Sequence, residues 1–239
     1  MNLNMLDDIP DPEGLSFDKL TGWLNERIDV IRKTPFTPEI AKTFTSVEFK
    51  DTSDHPLGIE ASSAWRRFFL ATLLADWASY DKPVDRADYA RLKYIMTSAY
   101  RYTRLWGCRL PDGKFTPLGY TAWYPVAKFV FEGVLNNSAD VDDRGIILPL
   151  RNATPENTRY GYVFNISIAK ELFNTPYSQR LGLAFKSDLE NLPKLGFLAI
   201  TVDPDDAQRL CSLGNFVHTG DVLIQGAREA LYVRRPLLG

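Results

Sequence analysis

Apolar residues recur at helical spacing early in the chain. In "LSFDKLTGWLNERIDVIRK", Leu20, Leu24, Ile28 and Ile31 fall on one face, which predicts an amphipathic helix packed on the body. The residues before it, 1–13, hold two prolines and four acids among few large apolar groups and read as a loose arm. Residues 43–50, "TFTSVEFK", alternate and predict a strand. "ASSAWRRFFLATLLADWASY" is apolar and helix-length, with Trp65, Phe68, Phe69 and Leu73 as its buried stripe. After a turn around Pro83, "DRADYARLKYIMTSAY" brings Tyr89, Leu92, Ile95 and Met96 into phase on another helix.

Then the period shortens. "YRYTRLWGCRL" and "FTPLGYTAWYPV", joined through Pro111-Asp112-Gly113, predict a hairpin. "AKFVFEGVL" suits either a strand or a helix. "NNSADVDDRG" and "RNATPENTR" read as loops around a short strand, "GIILPL". "YGYVFNISIAKELFN" is a strand with the irregular alternation that a bulge would give. From Gln179, Leu181, Phe185, Leu189 and Leu192 mark a helix stopped by Pro193 and Gly196. "FLAITV" is a buried strand, and Asp203-Pro204 opens a helix with Ala207, Leu210, Cys211 and Gly214 on one face. "FVHTGDVLI" and "REALYVRRPL" close the chain as strands. Strands and helices in this order predict an α/β class, a mixed sheet with helices on its faces. The expected division is an arm and helical extension over residues 1–40 and a main domain over 41–239.

Charge and cysteine usage narrow the chemistry. The formal net charge is −2 with no basic run, so nucleic acid is not an expected partner. Two cysteines, Cys108 and Cys211, and two histidines, His55 and His218, lie far apart, so no metal site is expected. The acidic first residues lack a signal-peptide layout, and no run approaches the ~20 apolar residues of a membrane span. A reducing cytoplasm is the expected compartment.

The stretch "PYSQRLGLA" sets small residues, Gly182 and Ala184, behind a strand. Small residues there suit an anion approaching helix-start amides, or close packing of helix on strand. The stretch resembles the acyl-CoA-binding signature of the GNAT acetyltransferase superfamily: Gln or Arg, two residues, Gly, one residue, then Gly or Ala. Gln179, Gly182 and Ala184 take those positions, with Pro176 three before the glutamine. "AQRLCSLGNFVHTG" resembles the family's following short helix, with Ala207 and Leu210 in place. The likeness covers about residues 160–239 well and residues 43–127 in coarse order.

The resemblance implies an α/β (α+β) fold: a mixed, mostly antiparallel central sheet flanked by helices, here with an N-terminal helical extension. It implies an acyl-CoA-dependent N-acyltransferase, with acetyl-CoA as co-substrate and a small-molecule or peptide primary amine as acceptor. The amides of Gln179, Arg180, Leu181, Gly182, Leu183 and Ala184 would hold the pyrophosphate. The pantetheine arm would pair with the strand edge near Ala169 to Asn174, a stretch that includes Phe173. Cys211 stands where the family often has the tyrosine that protonates the departing thiolate. Its thiol is either that donor or a small buried apolar group. Glu171 is either the base that takes the amine proton or a solvated strand-edge charge; Glu132, Asp142 and His218 are lesser candidates. Tyr120, Trp123 and Tyr124 would shape the acceptor side or fill the core. Two other readings fit the pattern. One is a long-chain acyltransferase of the acyl-amino-acid or acyl-homoserine-lactone synthase type; the other is a CoA-binding sensor without catalysis. A homodimer paired through a closing sheet edge is also expected from the family.

Overall fold

Ser16 starts the first helix: its Oγ accepts from the Lys19 N–H, and Asp18 sits in the electropositive first turn. Helix α1 (Phe17–Lys33) buries Leu20, Leu24, Ile28 and Ile31, the stripe its spacing predicts. The computed structural model describes residues 3–49, 58–136, 159–192, 194–201, 214–224 and 227–236. Its remaining helices are α2 (Pro38–Lys42), α3 (Ser63–Ser79), α4 (Tyr89–Ala99), α5 (Lys128–Leu135) and α6 (Pro176–Glu190). The strands are β1 (Thr45–Glu48), β2 (Thr103–Arg109), β3 (Phe115–Val126), β4 (Tyr160–Ile168), β5 (Gly196–Thr201), β6 (Val217–Ile224) and β7 (Ala227–Arg234). They lie in one sheet, ordered β1-β2-β3-β4-β5-β7-β6. The pairs β1–β2, β5–β7 and β6–β7 are antiparallel and β4–β5 is parallel. "AKFVFEGVL" resolves as helix α5. "GIILPL" and the helix expected after Asp203 lie outside the described residues.

Contacts group the chain into two units: residues 1–121 with 166–179, and residues 122–165 with 180–239. In the first, α3 is apolar nearly all round, so twelve of its seventeen residues are buried rather than a single stripe. The loose arm expected over 1–13 is corrected here. Leu6 and Ile9 are buried. Arg66 grips Asp11 with a two-pronged fork, Nε to Oδ1 and Nη2 to Oδ2, both 2.7 Å. Arg67 reaches Asp7 at 3.2 Å. The guanidinium of Arg66 holds the Asp11 carboxyl well below the usual carboxylate range. The stability this adds is present above about pH 4 and is lost as the pH falls.

Asp76 acts in the opposite sense. It is 1% exposed on α3 and accepts from the Ala87 N–H at 2.7 Å and the Tyr120 hydroxyl at 2.8 Å. These bonds tie the α3–α4 connection and β3 to one carboxyl. Burial outweighs them and pushes its pKa up to about 6. An unfolded aspartate ionises near 4, so between about pH 4 and 6 the folded chain keeps a proton the unfolded chain has lost. This group's contribution therefore falls as pH rises through that window and is level above it. Urea unfolding of wild type and Asp76→Asn at pH 4.5 and 7 should differ by about 2 kcal/mol in their pH response, the wild type carrying the extra downward slope. Equal slopes would refute the shift.

In the second unit, Gly161 and Gly196 let aromatic rings close on the strands. A Cβ at Gly161 would sit 2.6 Å from the Phe197 ring and 2.9 Å from Trp123. Arg234 is 3% exposed; its Nη1 donates to the Leu189 carbonyl at 2.7 Å, near the end of α6, where a cation meets the helix dipole. The register of β6 on β7 slips between His218 and Gly220.

Candidate functional site

Parallel pairing of β4 with β5 runs from Tyr160↔Gly196 to Val163↔Ala199. Beyond it β5 stays paired to β7 through Thr201↔Ala230, while β4 continues to Ile168. The last residues of β4, Ile166–Ile168, thus lie past the end of that register. Gly119 on β3 fixes their place from the other side. A Cβ on Gly119 would lie 2.5 Å from the Ser167 carbonyl and 2.9 Å from the Ile168 Cα. The Ala169 N–H then donates to the Leu118 carbonyl at 2.5 Å and ends the strand.

The chain turns sharply after that bond. Lys170–Leu172 is a 3-10 turn, and Asn174 takes the left-handed conformation, φ 59°, which asparagine tolerates better than most residues. Thr175 and Pro176 then open α6, proline standing at its favoured first helical position. This corrects two expectations. The stretch Ala169–Asn174 is a tight turn and not a strand edge. The helix begins three residues before Gln179, so the amides from Arg180 to Ala184, Leu181, Gly182 and Leu183 included, belong to its internal hydrogen-bond ladder. Gln179 itself donates to the Thr175 carbonyl at 3.2 Å.

The open donors lie one turn earlier. Pro176 has no N–H, and the amides of Tyr177 and Ser178 have no acceptor among the described residues. A threonine before a helix usually accepts from such amides. Here Thr175 Oγ1 donates backwards, to the Leu172 carbonyl at 2.6 Å, and Ser178 Oγ donates to the Thr175 carbonyl at 2.9 Å. Among the described residues no side chain caps this helix start, which presents two N–H groups at its positive end.

Ion pairs hold the turn. Arg32 at the end of α1 reaches Glu171 at 3.7 Å and Asp81 at 3.5 Å, and Lys170 pairs with Asp81. Glu171 is therefore engaged by a guanidinium rather than standing alone. The three aromatics of β3 do not share a face, because side chains alternate along a strand. Tyr120 and Tyr124 lie on one side; Tyr120 bonds Asp76, and Tyr124 packs on Tyr162 and Phe164. Trp123 lies on the other, edge-on to Phe197. Glu132 pairs with Lys128 along α5, and His218 faces Asp221 and Tyr232 on the closing strands. Cys211 and Asp142 lie outside the described residues. Phe173 and Asn174 border the helix start, both exposed. Sequence reasoning missed Ser178, Tyr177 and Ser167. The Thr-Pro pair ahead of the first two was the available signal.

Among the described residues no group of His, Cys, Asp or Glu could hold a metal ion, and no helix is long and apolar enough to cross a membrane. The fold is GNAT-like: a mixed, mostly antiparallel sheet flanked by helices. The loading GNATL domain of CurA from Lyngbya majuscula is similar over 80% of this chain and 97% of that one, at 11% identity and TM-score 0.50. A chain of the NatC complex bound to Gag peptide and CoA matches over 82% of this chain and 99% of its own, at 11% identity and TM-score 0.49. The ribosomal-protein-S18-alanine N-acetyltransferase from Escherichia coli matches over 82% and 96%, at 10% identity and TM-score 0.46. No protein-family profile matches the sequence, and no curated protein matches it.

Proposed function

We propose that the chain is an acyl-CoA-dependent N-acyltransferase, with acetyl-CoA as donor and a primary amine as acceptor. One observation carries the reading: β4 outruns its pairing with β5 and leads, through a tight turn, to a helix start with two uncapped amides. Ile166–Ile168 offer backbone groups to the amides of a pantetheine arm. Tyr177 and Ser178 offer N–H groups to a pyrophosphate, and the helix dipole favours its charge. These residues fit the group. Bound acyl-CoA supplies an activated thioester carbonyl, which the neutral amine attacks. The family resemblance offers Cys211 as the proton donor to the departing thiolate. Glu171, paired to Arg32 through Oε1 alone at 3.7 Å, takes the amine proton on its other oxygen, directly or through a water. Fold alone does not fix the acceptor.

Calorimetric titration with acetyl-CoA, followed by a thiol-release assay across a panel of amines, tests this. Binding with amine-dependent thiol release supports it. Absence of any CoA binding overturns it.

A further inference from the structure

Ser167 is the one buried polar side chain at the end of β4 whose hydrogen-bonding capacity goes unused. It is 7% exposed, and its Oγ has no donor or acceptor among the described residues. A buried hydroxyl normally finds a partner, and one left unmet disfavours the fold by about 1–3 kcal/mol. The backbone beside it is pressed against Gly119, so the residue cannot slide towards another partner.

Position gives the hydroxyl its meaning. Ser167 sits past the last β4–β5 pair, two residues before the strand is closed off by the Ala169–Leu118 bond. Ten residues further on, the amides of Tyr177 and Ser178 stand open. A ligand with an anionic group at the helix start and a carbonyl-bearing arm along the end of β4 would meet both. We propose that Ser167 Oγ donates a hydrogen bond to a carbonyl of the acyl-pantetheine arm. This makes Ser167 a ligand-binding residue. The inference rests on the acyl-CoA reading above. A serine can turn its hydrogen towards whichever carbonyl the arm presents, which a rigid donor could not do.

Such a role has a signature that a structural hydroxyl lacks. Ser167→Ala removes an unmet polar group from the free protein, so its melting temperature should be unchanged or raised. The same change should weaken acetyl-CoA binding by calorimetry about tenfold, with Ser167→Cys, a weaker donor, falling between. A lowered melting temperature in the free Ser167→Ala protein would mean the hydroxyl serves the fold and would overturn the proposal. So would an affinity within twofold of wild type. If wild type binds no acetyl-CoA, the acyl-CoA reading falls and this inference with it; if wild type binds and Ser167→Ala binds equally, the inference alone falls.

Discussion

Ser178→Glu should cost about 100-fold in acetyl-CoA affinity while leaving the protein as stable as wild type or slightly more so. The two effects have one origin. Ser178 is the third residue of α6, so a glutamate there meets the positive end of the helix dipole favourably, adding about 0.3–1 kcal/mol. The same carboxylate would occupy the space of the pyrophosphate and repel it, at about 1–4 kcal/mol per close charge pair. Gly182→Ala is the natural contrast. A Cβ at Gly182 meets nothing within 4 Å, and the residue is mid-helix. The change should stabilise by about 1 kcal/mol and leave affinity within twofold. Melting curves and calorimetry on both variants decide where the anion binds. Loss of binding in Gly182→Ala with retention in Ser178→Glu would place it along residues 180–184 and overturn the geometry proposed above.

Gly119→Ala should lower the melting temperature by roughly 5–10 °C. The new Cβ would press on backbone, the Ser167 carbonyl at 2.5 Å and the Ile168 Cα at 2.9 Å, and neither can rotate away as a side chain could. Overpacking against backbone costs about 3 kcal/mol. Scanning calorimetry of the variant measures it directly, and a melting point within 2 °C of wild type would mean that β3 and β4 yield more easily than their contact distances imply.

These variants also mark where the sequence was informative and where it was not. Helix α1 was legible because four apolar residues at helical spacing need no outside partner to be recognised. The first thirteen residues misled, since acids and prolines look unstructured until Arg66 and Arg67, more than fifty positions away, are seen to meet Asp11 and Asp7. The start of α6 is legible in Thr175-Pro176, a helix-opening pair that stands one turn upstream of the signature match at Gln179, Gly182 and Ala184. The faces of β3 were equally readable: Tyr120 and Trp123 are an odd number of residues apart and cannot line one surface. The unused hydroxyl of Ser167 was not, because nothing local announces that a serine's neighbours will all decline its bond.

The first unit takes its final piece, residues 166–179, from far beyond residue 121. During synthesis the ribosome must deliver the whole of 122–165 before β4's end and the turn arrive. At about 5–20 residues per second, that is a delay of several seconds. Through that interval β3 is made but lacks the strand end that settles against Gly119, and its edge is open to foreign pairing. The nascent chain is therefore most exposed to misassembly after most of the first unit has emerged, and a chaperone or a slowed codon run would have its greatest effect there.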